Sequence, residues 1–496
     1  MNEFLSKSKD FTQEYCATVV KIGHIIPIEG ANRVAMTEVN GRTIVISNER
    51  KEGDVMIYVS NESQLNKDFC SINNLYSSII LNSNRDEVEE WLAQNTDASE
   101  EEQHDYLIRH KGYFDDKARV KMKKLAGQVS MGILLEPETL VNWCPILAGM
   151  IWESFVGLDF DTVCDECFVK PYAPERRYND RDNTGNKRNK RIKRFDRMIP
   201  GQFVFHYDTQ LFERNFERFK PFTEVYISNK LHGTSFIIGN VMVKKPKYGG
   251  FYTKIFNHLP KFLQWTVPTY DVIYSSRSII KNSTINPGHG SYSKGLDACF
   301  DAWYERIKDF IPENFTVYGE IVGYCEGTNS FIQTVGKGYD YLCKPGENKF
   351  MIYRVSEYNT ETQTHEEYEV ENVLAFTRHL KNELNEAGKE DIANRIMELP
   401  VLYHGLLKDL YPNLKQNQHW KKNFLDVIKT DVLHFGMEKN EPECRNAVPR
   451  EGIVFRIVGD KVPEAFKLKC LKFLGKEAKE IDKGNIDAEM DQRYSS

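Results

Sequence analysis

Lys230 stands in Lys230-Leu231-His232-Gly233-Thr234, on a tight turn between two β-type runs. A lysine amine is a nucleophile only when unprotonated, and its ordinary pKa of about 10.4 keeps it charged at neutral pH. To react it needs neighbouring cations or a desolvated setting that push this value down. Four later stretches offer such company. Ser275-Ser276-Arg277-Ser278 closes an apolar run, Val272-Ile273-Tyr274. The run FTVYGEIV at 315–322 carries Glu320 directly after Gly319, and EGIVFRIV at 451–458 opens on Glu451. AFKLKCL at 465–471 sets Lys467 and Lys469 two apart, hence on one face of a strand. Taken singly, Lys230 is an ordinary solvated turn residue, and a charge opening an apolar strand is an ordinary edge residue.

The elements that must position these side chains are β-type. Val225 and Ile227 alternate with Tyr226 and Ser228 before the lysine, and Phe236, Ile237 and Ile238 follow it. This predicts strand, turn, strand, with Gly233 relieving crowding at the bend. KFMIYRV at 349–355 reads as another strand, with Tyr353 as an aromatic face. Residues 241–274 mix Lys244, Lys245, Lys247 and Lys254 with Tyr248, Phe251 and Tyr252, which suits either an inserted surface hairpin or a stacking surface for nucleic acid. Residues 365–399 are predicted helical and scaffolding. Val370, Val373, Leu374 and Leu380 share a face, Gly388 interrupts, and Ile392, Ile396 and Met397 resume it.

Ahead of the lysine, residues 16–60 are strongly β, with Asn40-Gly41 marking a hairpin. A basic run from Arg119 to Lys124 leads into LAGQVSMGILL at 125–135, which is expected to return to the same sheet. The acidic stretch 84–103 between them reads as a helical surface insertion. Short strands with glycine turns suggest a small closed barrel of the oligonucleotide/oligosaccharide-binding (OB) type, or a generic β-barrel used only for packing. Residues 173–197 hold ten arginines and lysines, from Arg176 and Arg177 to Arg194 and Arg197, and read as a basic linker able to neutralise phosphates.

Composition bounds these readings. The 496 residues suffice for two or three domains, and 41% hydrophobic with 12% aromatic residues is globular. No run of eighteen apolar residues exists and the start has no apolar signal core, so a soluble, cytoplasmic chain is expected. A net charge of -6 excludes a uniformly basic coat but not a local basic groove. Ten scattered cysteines are expected to be reduced and mostly buried; the Cys164/Cys167 pair lacks the second pair that a metal site needs.

Taken in order, Lys-x-His-Gly, Ser-Arg, Tyr-Gly-Glu, Glu-Gly-Ile-Val-Phe-Arg and Lys-Leu-Lys resemble the covalent nucleotidyltransferase superfamily of RNA ligases, DNA ligases and mRNA capping enzymes, from about residue 200 onward. The histidine in Lys-x-His-Gly resembles the RNA ligase branch. A β-rich module before the lysine, with only a short charged tail after Lys469, resembles the RNA ligases with an N-terminal OB domain that seal nicks with an RNA 3′-OH strand. The resemblance implies an α+β chain. Residues 1–172 would form an OB-like nucleic-acid-binding domain with an acidic insertion near 84–105, and 173–198 the basic linker. Residues 199–496 would form a nucleotidyltransferase domain of antiparallel sheets flanked by helices, with a helical insertion near 361–437.

It further implies an ATP-dependent RNA ligase using Mg²⁺ or Mn²⁺. Lys230 would take AMP from ATP and pass it to a 5′-phosphate end, and a 3′-OH would then expel it. Lys230, His232, Gly233, Asn229, Glu320, Tyr353, Glu451, Lys467 and Lys469 would bind the nucleotide. Glu320 would hold the ribose, Tyr353 the adenine, Glu451 the metal, and Lys467 and Lys469 the phosphate. Arg277 would act once the 5′ end is engaged. Three positions depart from common patterns: Asn229, where many relatives have Glu, so that adenine would meet its amide oxygen; Ser235, where some have Asn; and Arg354, where some have Asp. The implied partners are RNA or an RNA-containing nicked duplex and ATP, with no membrane, for a monomer. The alternatives are a DNA ligase or guanylyltransferase, against which the missing C-terminal barrel speaks, and a non-catalytic repair scaffold, against which the intact charged motifs speak.

Overall fold

The computed structural model describes residues 4–174, 195–284, 295–460 and 464–484. Most of the basic stretch, 175–194, therefore lies outside the described residues. Arg197, its last member, is no solvated linker residue: it donates to the Asn282 carbonyl at 2.8 Å and pairs with Asp271 at 2.6 Å. The chain divides into two compact units, Met1–Ala173 and Pro174–Ser496. Both mix antiparallel sheets with helices.

In the first unit, strands β1 (Ala17–Lys21), β4 (Val55–Ser60) and β5 (Gly132–Leu135) lie in one antiparallel sheet, in the order β5-β4-β1. β2 (Val34–Val39) and β3 (Arg42–Ser47) form the hairpin announced by Asn40-Gly41, both of which have positive φ. Of the stretch 125–135 only β5 joins the main sheet; Lys123–Leu125 and Gln128–Ser130 form a hairpin of their own. The strands fall into five small sheets, and among the described residues no closed barrel joins them. β1 and β4 are buried on both faces: Ile57 and Val59 face one core, Met56 and Tyr58 another. The acidic insertion forms two helices, α1 (Arg85–Gln94) and α2 (Glu100–His110). Ser99 and Glu102 make a capping box at the start of α2, and Trp91 stacks on Tyr106 at 3.8 Å. Cys144 and Cys164 are joined as a disulfide, against the expectation of ten reduced thiols; the other eight are free, six of them buried.

The second unit is built on two sheets. One runs Gln210–Leu211, β13 (Phe466–Lys469), β12 (Gly452–Ile457), β6 (Glu224–Lys230), β11 (Val401–Leu406). The other runs β8 (Thr266–Ser275), β7 (Thr234–Pro246), β9 (Phe315–Gly323), β10 (Asn348–Asn359) and Thr364–Glu367. The strands before and after the lysine turn thus belong to different sheets, and the turn crosses the seam between them. Helix α3 (Leu296–Ile307) packs Cys299, Phe300 and Trp303 on the β7/β9 sheet, and α4 (Val370–Glu386) adds Val373, Leu380 and Leu384. Helix α5 (Trp420–Lys429) and Phe473 of α6 (Leu471–Asp482) pack with Val225, Ile227, Ile453 and Phe455 of the other sheet. The stretch 361–437, expected to be a helical insertion, also carries strands: β11 within it pairs along β6. Ile396–Met397, predicted to resume a helix, forms a short strand beside β10 instead. Among the described residues no helix is long and apolar enough to cross a membrane.

Candidate active site

The register of three strands assembles the charges. Lys230 of β6 pairs with Gly452 of β12, and Gly452 with Lys469 of β13, so both lysines lie on one rung, roughly 10 Å apart across two strand spacings. One rung pair along, Ser228, Val454 and Lys467 share the next rung on the same face. The opposite face carries Ile227, Ile453, Phe455 and Leu468 into the core, which is what holds the lysines toward the cleft. Gly452 is required here, because a Cβ would run into the Leu468 carbonyl oxygen.

Glu451 enters this face beside Gly452. Its Oε1 pairs with Lys230 Nζ at 2.7 Å and its Oε2 lies 3.5 Å from His232 Nδ1, too long for a good hydrogen bond. Burial opposes its ionisation, but the charges of Lys230, His232 and Lys469 outweigh burial and hold the carboxyl down at about 2. His232 is itself buried. Its backbone N–H donates to the Tyr341 hydroxyl at 2.6 Å, and its ring stands edge-on to Tyr339 and Phe473, each at 5.0 Å. Lys469 also donates to Glu477 of α6 at 3.3 Å.

Glu320 reaches the turn from the other sheet and accepts from the Gly233 N–H at 3.1 Å. Gln333 donates to the Gly233 carbonyl at 2.6 Å. A Cβ on Gly233 would run into the Ile321 carbonyl oxygen and meet Glu320 Cγ at 2.8 Å, so this glycine is imposed by the close passage of β9. Ser235 pairs with Glu320 in register. Tyr353 sits where the β9/β10 register shifts: Tyr318 faces Arg354, the next residue faces Ile352, and Tyr353 is the extra residue of the bulge. Burial, then the Glu320 carboxylate, push its phenol well above the ordinary range; Ser235, Arg354 and Arg277 act the other way. Arg277, just beyond β8, pairs with Asp208. Arg354 is held by Glu367 at 2.7 and 2.5 Å and lies over the Tyr318 ring, which accounts for a cation where the resemblance expects a carboxylate.

Lys230, His232, Gly233, Glu320, Glu451, Lys467 and Lys469 therefore converge on the seam, with Tyr353 and Arg277 beside Glu320. Asn229 does not join them. It is buried on the opposite face of β6, where its Oδ1 accepts from Arg450 Nε at 2.8 Å and its amide donates to Glu441 at 3.2 Å. That oxygen is engaged by Arg450, on the face away from the lysines, and not turned toward the seam. Sequence reading also missed Arg450, Glu441, Gln333, Tyr341 and Glu477. Only Arg450, adjacent to Glu451, carried a local signal.

Among the described residues no group of three or more His, Cys, Asp or Glu side chains is placed to hold a metal ion by itself. Glu451 nevertheless offers Oε2, which is buried and makes no hydrogen bond. One carboxylate oxygen is a fitting ligand for Mg²⁺ or Mn²⁺ when water and substrate phosphates supply the remainder.

A model of the RNA ligase family matches residues 223–473, which span the whole set of converging residues. No curated protein matches the chain. Among solved structures, a Naegleria gruberi RNA ligase variant with ATP and manganese is similar at 16% identity, covering 95% of this chain and 100% of that one, with a TM-score of 0.48. The Naegleria gruberi RNA ligase with pyrophosphate is similar at 16% identity, 94% and 100% coverage and a TM-score of 0.48. A further variant of it, with AMP and manganese, gives 17%, 93%, 98% and 0.48.

Proposed function

The chain belongs to the RNA ligase family, and on that premise we propose that it joins RNA 3′-OH and 5′-phosphate ends with ATP as AMP donor, through a lysyl-AMP on Lys230. The observation that carries this reading is the rung Lys230–Gly452–Lys469 with Glu451 closed onto Lys230 at 2.7 Å. In the first step Lys230 Nζ attacks the α-phosphorus; a P–N bond forms, the bond to the bridging oxygen breaks, and pyrophosphate leaves. The amine must lose a proton beforehand. Lys467 and Lys469 on the same face favour its neutral form, whereas Glu451 holds the charged form, so reaction requires that ion pair to separate. The same two lysines stabilise negative charge on the transferring phosphoryl group. A divalent cation on Glu451 would add positive charge against the phosphates.

In this reading Glu320 takes a ribose hydroxyl and Tyr353 the base, and Arg277 meets the incoming 5′-phosphate end. In the second step AMP moves from Lys230 to that phosphate, and in the third the 3′-OH attacks it and AMP leaves. The finer reading is a monomer that seals nicks in RNA-containing duplexes, with the first unit as an OB-type nucleic-acid module. A cavity of about 460 Å³ in that unit supports this: its lining joins Val45, Ile46 and Met56 with Tyr113 and Lys123, which suit a base and its phosphate, and with Lys121, which is paired with Asp115.

Incubation with α-labelled ATP or GTP in Mg²⁺ or Mn²⁺ tests the reading. We expect label from ATP only, and at least a ten-fold lower yield in Lys467→Ala and Lys469→Ala. Label from GTP alone would favour a guanylyltransferase. Normal labelling of both variants would remove these lysines from the phosphate site.

A further inference from the structure

β7 and β8 run on together far beyond the site, pairing from Ile237–Ser275 out to Pro246–Thr266. Their bases are functional ground: β7 begins directly after Gly233 and β8 ends directly before Ser276 and Arg277. Their far end is not accounted for by the reaction. From Thr234 to Pro246 the strand advances roughly 40 Å at ~3.3 Å per residue.

The tip between the two strands is an ordered cap. Phe256 is fully buried against Phe195 and Tyr252, at 5.3 and 5.5 Å. Tyr252 accepts from the Trp265 N–H at 2.8 Å, and the Trp265 indole N–H donates to the Phe262 carbonyl at 2.9 Å. These contacts fix the backbone and leave four other rings outside: Tyr248 is 46% exposed, Phe251 75%, Phe262 75% and Trp265 50%. Aromatic area of this kind costs solubility unless something covers it.

The charge around it selects the occupant. Residues 241–270 include Lys244, Lys245, Lys247, Lys254 and Lys261 and not one Asp or Glu, in a chain whose net charge is -6. Lys247, Lys254 and Lys261 are all exposed among the four rings. Flat exposed rings interleaved with lysines, free of carboxylates, match a polyanion with π-faces. We propose that this hairpin tip is a second RNA-binding site, remote from the joint, on which unpaired bases stack while Lys247, Lys254 and Lys261 take the phosphates. It rests on the RNA ligase reading and extends it. The enzyme grips its substrate about a dozen nucleotides from the end it activates, taking roughly 3.4 Å per stacked nucleotide.

The full-length protein, measured by fluorescence anisotropy on two 5′-phosphorylated RNAs, tests this. One RNA carries an unpaired extension of about twenty nucleotides from the joint; the other is too short to reach the tip. The double variant F251A/F262A should bind the long RNA at least ten-fold more weakly and the short RNA as wild type does, with lysine adenylylation by ATP unchanged. Removing Lys247, Lys254 and Lys261 together should lower the salt dependence for the long RNA by about two, at ~0.7 per phosphate contact on a single strand. Equal affinities of wild type and F251A/F262A for the long RNA would overturn the proposal, as would equal losses on both RNAs. Wild-type capture on phosphatidylserine vesicles that F251A/F262A abolishes, with RNA affinity intact, would assign the tip to a membrane surface and also overturn it. Absence of ATP labelling in the wild type would sink the ligase reading instead, and the anisotropy would still report on the tip.

Discussion

At the residue scale the site turns on Glu451, a buried carboxylate ionised by its neighbours. Its folded-state pKa of about 2 lies below the ordinary 4.5, so its contribution to stability is present in full above about pH 4.5 and is lost as pH falls toward 2. The difference corresponds to about 3 kcal/mol at neutral pH. Urea unfolding of wild type and Glu451→Gln should therefore differ by that order at pH 7 and converge only as pH falls to about 2 and below. Parallel pH profiles would show that Glu451 is not held as the ion-pair geometry requires. Lys230, Glu320, Glu451, Lys467 and Lys469 were singled out in the sequence by the order of their motifs, since each charge alone is that of an ordinary turn or strand edge. Asn229 faces away from the cleft because its neighbour in sequence, Lys230, faces it, and alternation along a strand turns Asn229 the other way.

At the element scale the register of β6 against β12 decides whether nucleophile and carboxylate meet. A slip of one residue would turn every side chain to the other face. Two things pin it. Gly452 admits the close approach of β13, and on the core side Arg450 donates to Asn229, tying the residue before Glu451 to the residue before Lys230. Arg450 lies 3.8 Å from the buried Glu441 and also donates to the Phe435 carbonyl. Burial pushes the Glu441 carboxyl up and Arg450 pulls it back. Arg450→Met should therefore destabilise the fold by roughly 3–5 kcal/mol, through the buried carboxylate it strands. The double variant R450M/E441M should recover most of that loss in urea unfolding and still adenylylate Lys230 more slowly than wild type. Full recovery of the adenylylation rate would show the pair to be structural only. None of this was legible, because Asn229 and Arg450 lie 221 residues apart and periodicity reports faces, not partners. β11 is marked as a strand by its pairing along β6 and by Val401 and Tyr403 packed on the core, both of which are contacts with residues far away in sequence. The bulge that re-aims Tyr353 has no sequence signal either.

At the scale of the whole molecule, the sequence pattern left the architecture of the first part open. Short strands and glycine turns are equally compatible with one barrel and with the small sheets over two cores that the described residues form. In the second unit two sheets meet at a seam, the lysine turn crosses it, and a lysine-rich hairpin leads away from it. That arrangement gives a reason for one lysine, among all those in the chain, to be the acceptor of AMP. Peptide mapping by mass spectrometry after incubation with ATP and Mg²⁺ or Mn²⁺ tests this most directly. The account predicts one added AMP, on Lys230, lost when RNA ends are supplied and never formed by Lys230→Ala. AMP on another lysine, or wild type and Lys230→Ala equally unmodified, would contradict it.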